Sequence, residues 1–404
     1  VIAAGIVLAA IPAFAELSLD NAQQRAIANS VDVQTALATV RQREAALDLA
    51  RVGAVPHLTG DYFLAPQAGP FNLSTIEQHY VAVGAGISIN DLLATSIATR
   101  AAASDLLAAQ RNADAAVLQA RKNAAKLYFA ALQAVAIEQV RFDSVAGAQR
   151  DRSAAALRAR SGESPNLDVV RADVTLEQAR ADLVRAQADR TDAVDALASA
   201  TGFDPRSLAT LAPSMSPGRT ITLDEQSAVA RALANRPELA ALLATIDART
   251  ADVAGARQSR VPTATVDGGY QSGVDSGIPV RGPQVTAHVE VPLAASSGYR
   301  VTAAQAQVDV ARAQLVDERR TISLDVAGAV RDTRASDVAA QAADRARDEA
   351  RRALAAVELG YREGASSSLE VADARRTYEE AAVDALVAEY QRALALAIVE
   401  AIVP

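Results

Sequence analysis

Glu370 and Asp373 stand three residues apart in EGASSSLEVADARRTYEEA, Glu363 to Ala381, where a serine-rich turn runs straight into helix-like sequence. Acids at that spacing share roughly one helical face and project a joint negative potential. Two roles compete for them. Ser367-Ser368-Leu369-Glu370 is a capping-box pattern, in which Ser367 takes the Glu370 N–H while Glu370 reaches back to the Ser367 backbone. Asp373 lies a turn further on, is harder to explain by capping, and is the better carrier of an electrostatic role. A partial copy, SGESPNLDVVRADVTLEQA, stands 202 positions earlier, with Asp168 facing Glu370 and Gly162 facing Gly364. At that offset Asp373 faces Arg171, so the acidic pair belongs to the second segment alone. In the first segment Ser164-Pro165 reads as an N-cap followed by the first helical position.

Other chemistries lack the residues they need. The chain has no cysteine, which excludes disulfides, thiolate metal sites and a thiol nucleophile. His57, His79 and His288 have no ligand-like spacing. The carboxylates form no compact constellation with a histidine or a glycine-rich phosphate loop, so no enzyme activity, cofactor or metal site is expected. A net charge of −8 speaks against a nucleic-acid surface, because phosphate binding needs clustered Lys and Arg.

The acids must be positioned by a duplicated architecture. SLDNAQQRAIANSVDV, from Ser18, resembles TLDEQSAVARALANRPEL, from Thr222, and Asn29, Arg51, Pro56 and Asp61 then match Asn235, Arg257, Pro262 and Asp267 at one offset of 206. Such self-similarity makes the repeat the unit of the fold. The boundaries expected are a signal peptide over 1–15, a first repeat over 16–205, a linker over 206–221 and a second repeat over 222–404. The apolar run ending in Ala13-Phe14-Ala15 has the small-x-small pattern of an export cleavage site; a membrane anchor competes, but the run is short for a span.

Each repeat predicts the same order of elements. Helix-like runs over about 19–54 and 223–260 stop before Pro56 and Pro262. Strand-like segments follow at 57–64 and 81–89, and again at 263–271 and 284–293, joined by Gly- and Pro-rich loops over 65–78 and 272–283. Proline-free runs over about 92–160 and 297–361 come next, each on the order of 100 Å long if it is one helix. Partner helices over about 166–201 and 367–403 carry small apolar residues in a seven-residue register, interrupted by Arg190 and Arg392. Aromatics are only 3% of the chain, which suits slender helical packing better than a wide core.

Val81, Val83, Ile87, Ile89, Val285, Val289 and Val291 fall on the apolar side of the alternating segments. One reading is a small sheet packed on its own helices in a soluble protein. The other is a membrane barrel with these residues facing lipid, which closes the sheet's edges and gives its apolar face a partner. Paired hairpins in a duplicated, exported chain favour the barrel, and four strands per chain then require an oligomer.

The paired starts LDNAQQRAIANSVDV and LDEQSAVARALANRPEL, the strand-to-helix transitions ISINDLLA and VEVPLAAS, and GYREGASSSLEVADARRTY resemble the TolC-like outer-membrane efflux protein family over 16–403. The resemblance implies a mainly α fold with a β-barrel portion: duplicated long coiled-coil helices plus four transmembrane strands per chain, assembled as a trimeric channel-tunnel. It implies an exit duct in the outer membrane of a Gram-negative bacterium, with its helical tunnel in the periplasm. The implied partners are outer-membrane lipid, two further copies of the chain, a periplasmic adaptor (membrane fusion protein) and an inner-membrane transporter. It places Glu370 and Asp373 at the periplasmic gate, and gives Asp168 and Tyr361 contacts that hold the coiled coils closed, for which a phenol-to-carboxylate hydrogen bond would be suitable chemistry. Ser366 departs from the pattern, because some relatives carry a linking arginine there. A different class, a periplasmic coiled-coil adaptor or scaffold, also uses long helical hairpins but needs no pair of lipid-suited strand hairpins.

Overall fold

The computed structural model describes residues 18–52, 57–68, 75–204, 224–258, 261–275, 278–291 and 296–403. The expected signal peptide over 1–15 and linker over 206–221 lie outside these. The elements run α1 (Leu19–Asn29), α2 (Val31–Val52), β1 (His57–Ala68), β2 (Thr75–Ser88), α3 (Ile89–Ser161) and α4 (Asn166–Thr201). The order then repeats as α5 (Glu225–Asn235), α6 (Pro237–Gln258), β3 (Thr263–Asp275), β4 (Ile278–Glu290), α7 (Ser296–Arg362) and α8 (Ser368–Ile402). The long helices are continuous, α3 over 73 residues and α7 over 67. At 1.5 Å per residue each is about 100 Å long.

The first helix-like run of each half is two helices, where one was expected. Ser30 is extended, with φ −68° and ψ 123°, and its Oγ accepts the Val33 N–H that opens α2. Arg236 has the same conformation, φ −67° and ψ 125°, imposed by Pro237 at the first position of α6. The strands also differ from expectation. Ile89 opens α3 and does not end β2, because the helix-start residues Asn90 and Asp91 follow at once. Both hairpin loops are shorter than 65–78 and 272–283, since β1 runs to Ala68 and β4 begins at Ile278. Pro66, Pro279 and Pro283 therefore lie in strands, all of them on the outer strands β1 and β4, where a sheet tolerates proline.

Two compact units draw on both halves of the chain. One combines Thr35–Asp114 with Pro237–Arg320 and holds the sheet, of order β1-β2-β3-β4 and antiparallel throughout. Its register sorts the faces. Tyr62 pairs with Val81, Val83 with Tyr270, and Gly268 with Val285, so these residues share one face with Leu58, Val266 and Val289. That face is exposed within the chain, Val285 to 78%. The opposite face is polar and hollow: Thr59, Asp61, Ala82, Gly84, Thr265, Asp267, Gln284 and Thr286 line about 220 Å³. Ile87 pairs with Val266 in register, and Val291 follows the last residue of β4.

The other unit combines Val1–Gln34, Ala115–Arg236 and Thr321–Pro404. Its core gathers Tyr128, Phe129 and Leu132 of α3, Ala22 of α1, and Val194, Leu197 and Ala198 of α4. The Tyr128 and Phe129 rings meet edge to face at 5.5 Å. Leu176, Ala186 and Leu197 of α4 and Ala385, Val399 and Ile402 of α8 are buried. The interruptions have a partner each. Arg190 Nε lies 3.0 Å from Glu138 on α3, and Arg392 Nε 2.8 Å from Asp337 on α7. Each arginine thus ties a partner helix to its own long helix.

Candidate functional site

The two helix-to-helix turns are built alike. Gly162 and Gly364 take left-handed φ values of 78° and 79°, which only glycine adopts without strain. The chain closes each helix with a return bond across the turn, Glu163 N–H to Arg158 O at 2.9 Å and Ala365 N–H to Gly360 O at 2.7 Å. Gly360 leaves space for the turn, because a Cβ there would stand 2.6 Å from Ser366 Oγ.

The next helices start differently. Ser367 caps α8 through the expected box: its Oγ accepts the Glu370 N–H at 3.3 Å, and Glu370 Oε2 accepts the Ser367 N–H at 2.7 Å. Such a cap contributes about 1 kcal/mol. In the first turn Ser164 is not the cap. Pro165 occupies that position, with ψ 147° and no side-chain cap bond, so α4 begins one residue later than the serine cap required.

Asp373 takes no part in this hydrogen-bonded start. Its side chain is 69% exposed and pairs with Arg376 at 3.3 Å. An exposed pair three residues apart is worth at most about 1 kcal/mol, so the charge stays open to its surroundings. Glu370 and Asp373 thus have separate partners, one serving the cap and the other paired with Arg376.

Asp168 and Tyr361 line one cleft of about 880 Å³ between the ends of α3, α4, α7 and α8. They are not joined by the phenol-to-carboxylate bond that their types suggested. Asp168 Oδ1 accepts from Ser368 Oγ at 2.7 Å, with Arg171 3.8 Å away. The Tyr361 ring lies instead under the Arg158 guanidinium, 4.0 Å from its centroid. The serine at the start of α8 is nearer in the fold to Asp168 than the phenol is, and takes the bond.

Sequence spacing did not single out a charge cluster on the same cleft. Arg375 of α8 places Nε 2.7 Å from Asp151 Oδ2 on α3, and its Nη2 donates to Glu358 Oε1 on α7 at 2.6 Å. Burial is the main force raising the Asp151 pKa; Glu358 adds to it, while Arg375 and Arg150 oppose it. One turn on, burial also raises Glu379, against the hydrogen bond from Ser144 and the charges of Arg375 and Arg141. Asp151 lies 224 residues from Arg375 and Glu358 lies 17 residues away across the turn, so no helical spacing could have announced either contact.

No described helix is long and apolar enough to cross a membrane, which says nothing of a sheet that closes into a barrel. The family model for outer membrane efflux proteins matches residues 22–203 and 228–403, one stretch in each half. No curated protein matches the chain. Among solved structures it is similar to a membrane protein from Pseudomonas aeruginosa, at 20% identity and TM-score 0.80, over 96% of this chain and 93% of that one. It is similar to the Campylobacter jejuni CmeC outer membrane channel at 17% identity and TM-score 0.79, over 95% and 85%. For the outer membrane protein VceC from Vibrio cholerae the values are 17% and 0.77, over 95% of each chain. These likenesses are of fold, and the family match covers both repeats: the chain belongs to the outer membrane efflux protein family, the TolC-like family that its repeated motifs resemble.

Proposed function

We propose that three copies of this chain form a passive exit duct through the outer membrane, the terminal part of a tripartite efflux or type I secretion system. The observation that carries this reading is the sheet. Its register separates an exposed apolar face from a hollow polar one, and β1 and β4 each pair on one side only within the chain. Three such sheets joined edge to edge make a barrel of about twelve strands, with valines toward lipid and the Asp61 and Asp267 face toward the lumen.

In this reading α3, α4, α7 and α8 continue the duct into the periplasm, where an adaptor joins it to an inner-membrane transporter that supplies the energy. The turns at Gly162 and Gly364 form the periplasmic end. Glu370 and Asp373 ring the mouth, favouring cations while the end is narrow, and the helix pairs part in the manner of an iris to pass substrate. Substrate choice belongs to the transporter.

The test is the purified full chain in detergent and in planar bilayers. The duct predicts trimers that resist dissociation until heated and a cation-preferring conductance. Monomers that give no conductance would overturn it and favour an adaptor or scaffold.

A further inference from the structure

The charge cluster around Arg375 is not used by the reading above, and its construction is specific. Arg375 sits on the second turn of α8 with its side chain 16% exposed. One guanidinium touches carboxylates on two other helices: Asp151 of α3, through Nε at 2.7 Å and Nη2 at 3.3 Å, and Glu358 of α7, through Nη2 at 2.6 Å. The planar fork of arginine suits such a junction, which a lysine could not reproduce.

Helix α3 is shaped to receive it. Gly147 lies one turn before Asp151, and a Cβ at that position would stand 2.6 Å from Arg375 Nη1. Glycine is a poor interior residue for a helix, so its presence here has a packing reason: the guanidinium lies where a side chain would be. The repeat-equivalent residue of α4, Asp173, makes one more exposed pair with Arg152 of α3. The grip on α8 is thus the more buried and the more highly connected of the two.

Glu370 and Asp373 precede Arg375 by less than two helical turns, on the same continuous helix. We infer that Arg375 is a positioning residue: seated on Gly147 and bonded to Asp151 and Glu358, it holds the first two turns of α8 against α3 and α7, and so sets how far the acidic pair reaches into the mouth. This rests on the reading of the turns as the gated end of a duct. Opening the end by parting α8 from α3 must break this junction, whereas the capping box of Ser367 and Glu370 is internal to α8 and survives the movement.

Three variants of the full chain test it. Arg375→Gln removes the charge, Gly147→Ala displaces the guanidinium without changing any charge, and Arg375→Asp with Asp151→Arg and Glu358→Gln exchanges the partners, the third change removing the carboxylate that would otherwise repel the exchanged pair. The first two are expected to raise resting conductance, with the open population up about tenfold for Arg375→Gln, and the exchange to return it toward the unmodified value. Amide exchange over residues 368–378 reads the same contact without conduction, and is expected to accelerate in the first two variants and to recover in the exchange. Unchanged amide exchange in both Arg375→Gln and Gly147→Ala overturns the assignment. A chain that conducts nothing, yet shows accelerated exchange on Arg375→Gln, overturns the duct and leaves the junction standing as a structural contact.

Discussion

Asp173 and Arg375 occupy the same place in the two repeats, 202 residues apart, carry opposite charges, and grip adjacent residues of one helix. Asp173 of α4 accepts from Arg152 at 2.8 Å, and Arg375 of α8 stands 2.7 Å from Asp151. The end of α3 is therefore held by two pairs of opposite sense. Duplication kept the position of the contact and inverted its polarity, so α4 and α8 cannot exchange places on α3 without setting like charges against each other.

Ion selectivity should follow the charges on the exposed face of α8. Glu370→Gln with Asp373→Asn is expected to lower the cation preference of bilayer channels and weaken block by divalent cations. Arg376→Gln should do the reverse, because it removes the guanidinium 3.3 Å from Asp373. Reversal potentials in a salt gradient measure both, and unchanged values in the double variant remove the acids from the gate.

Tyr361 and Asp168 should separate under mutation. Tyr361→Phe retains a ring face for Arg158 and is expected to leave resting conductance nearly unchanged, whereas Tyr361→Ala loses the stacking and raises it. Ser368→Ala removes the 2.7 Å bond to a partly buried Asp168 and should cost about 1–2 kcal/mol. Denaturation and single-channel records of the three variants decide the matter. A large effect of Tyr361→Phe would restore a role for the hydroxyl.

Much of this was legible because long helices announce themselves by uninterrupted periodicity. The reading of α4 as 166–201 coincides with Asn166–Thr201, and the Ser367 cap stands as its motif implied. Breaks were harder. Both were missed: Pro237 was a signal passed over in the second run, whereas Ser30 is an ordinary polar residue and only its Oγ contact with Val33 makes it a helix start. Tertiary charge contacts were invisible, since Arg375 meets Asp151 across 224 residues. The hairpin loops were overestimated because proline was read as a loop signal, although outer strands accept it.

The response to pH has a definite sign. Asp151 and Glu379 have raised pKa values in the packed helices, mainly through burial, so the packed arrangement binds protons more readily than an exposed one. Their contribution to packing is full below the ordinary carboxylate range of about 4 and is lost as pH rises through the raised values. The groups facing them are Arg375 on α8, Glu358 on α7, Arg141, Ser144 and Arg150 on α3, and Asp182 on α4. Resting conductance should therefore fall as pH is lowered from about 7 toward 4, and Asp151→Asn with Glu379→Gln should flatten that dependence. Conductance that rises on acidification in the unmodified chain contradicts the assignment.

The sheet makes its own prediction through glycine. A Cβ on Gly269 would stand 2.6 Å from the Val83 carbonyl oxygen, and one on Gly84 would stand 2.8 Å from that of Gly268. Backbone cannot yield as a side chain can, so Gly269→Ala should cost about 1–3 kcal/mol and lower the temperature at which the trimers proposed above dissociate. Gly282, with nothing within 4 Å of the same position, is the control, and Gly282→Ala should be tolerated. Equal dissociation temperatures for the two variants would mean that the close approach of β2 and β3 is not structurally required.

Along the start of α8, Glu370 and Asp373 are followed directly by Arg375 and Arg376, and the stretch carries no net charge. Glu370 spends one carboxylate oxygen on the Ser367 N–H and Oγ, and Arg375 is turned onto α3 and α7. In the duct proposed above, the charge of the mouth therefore rests chiefly on Asp373 and its exposed pair with Arg376, because Arg375 is neutralised by Asp151 and Glu358 on the neighbouring helices. A helix start that is neutral as a whole thus presents its acid to the opening and keeps one of its two arginines inside the wall.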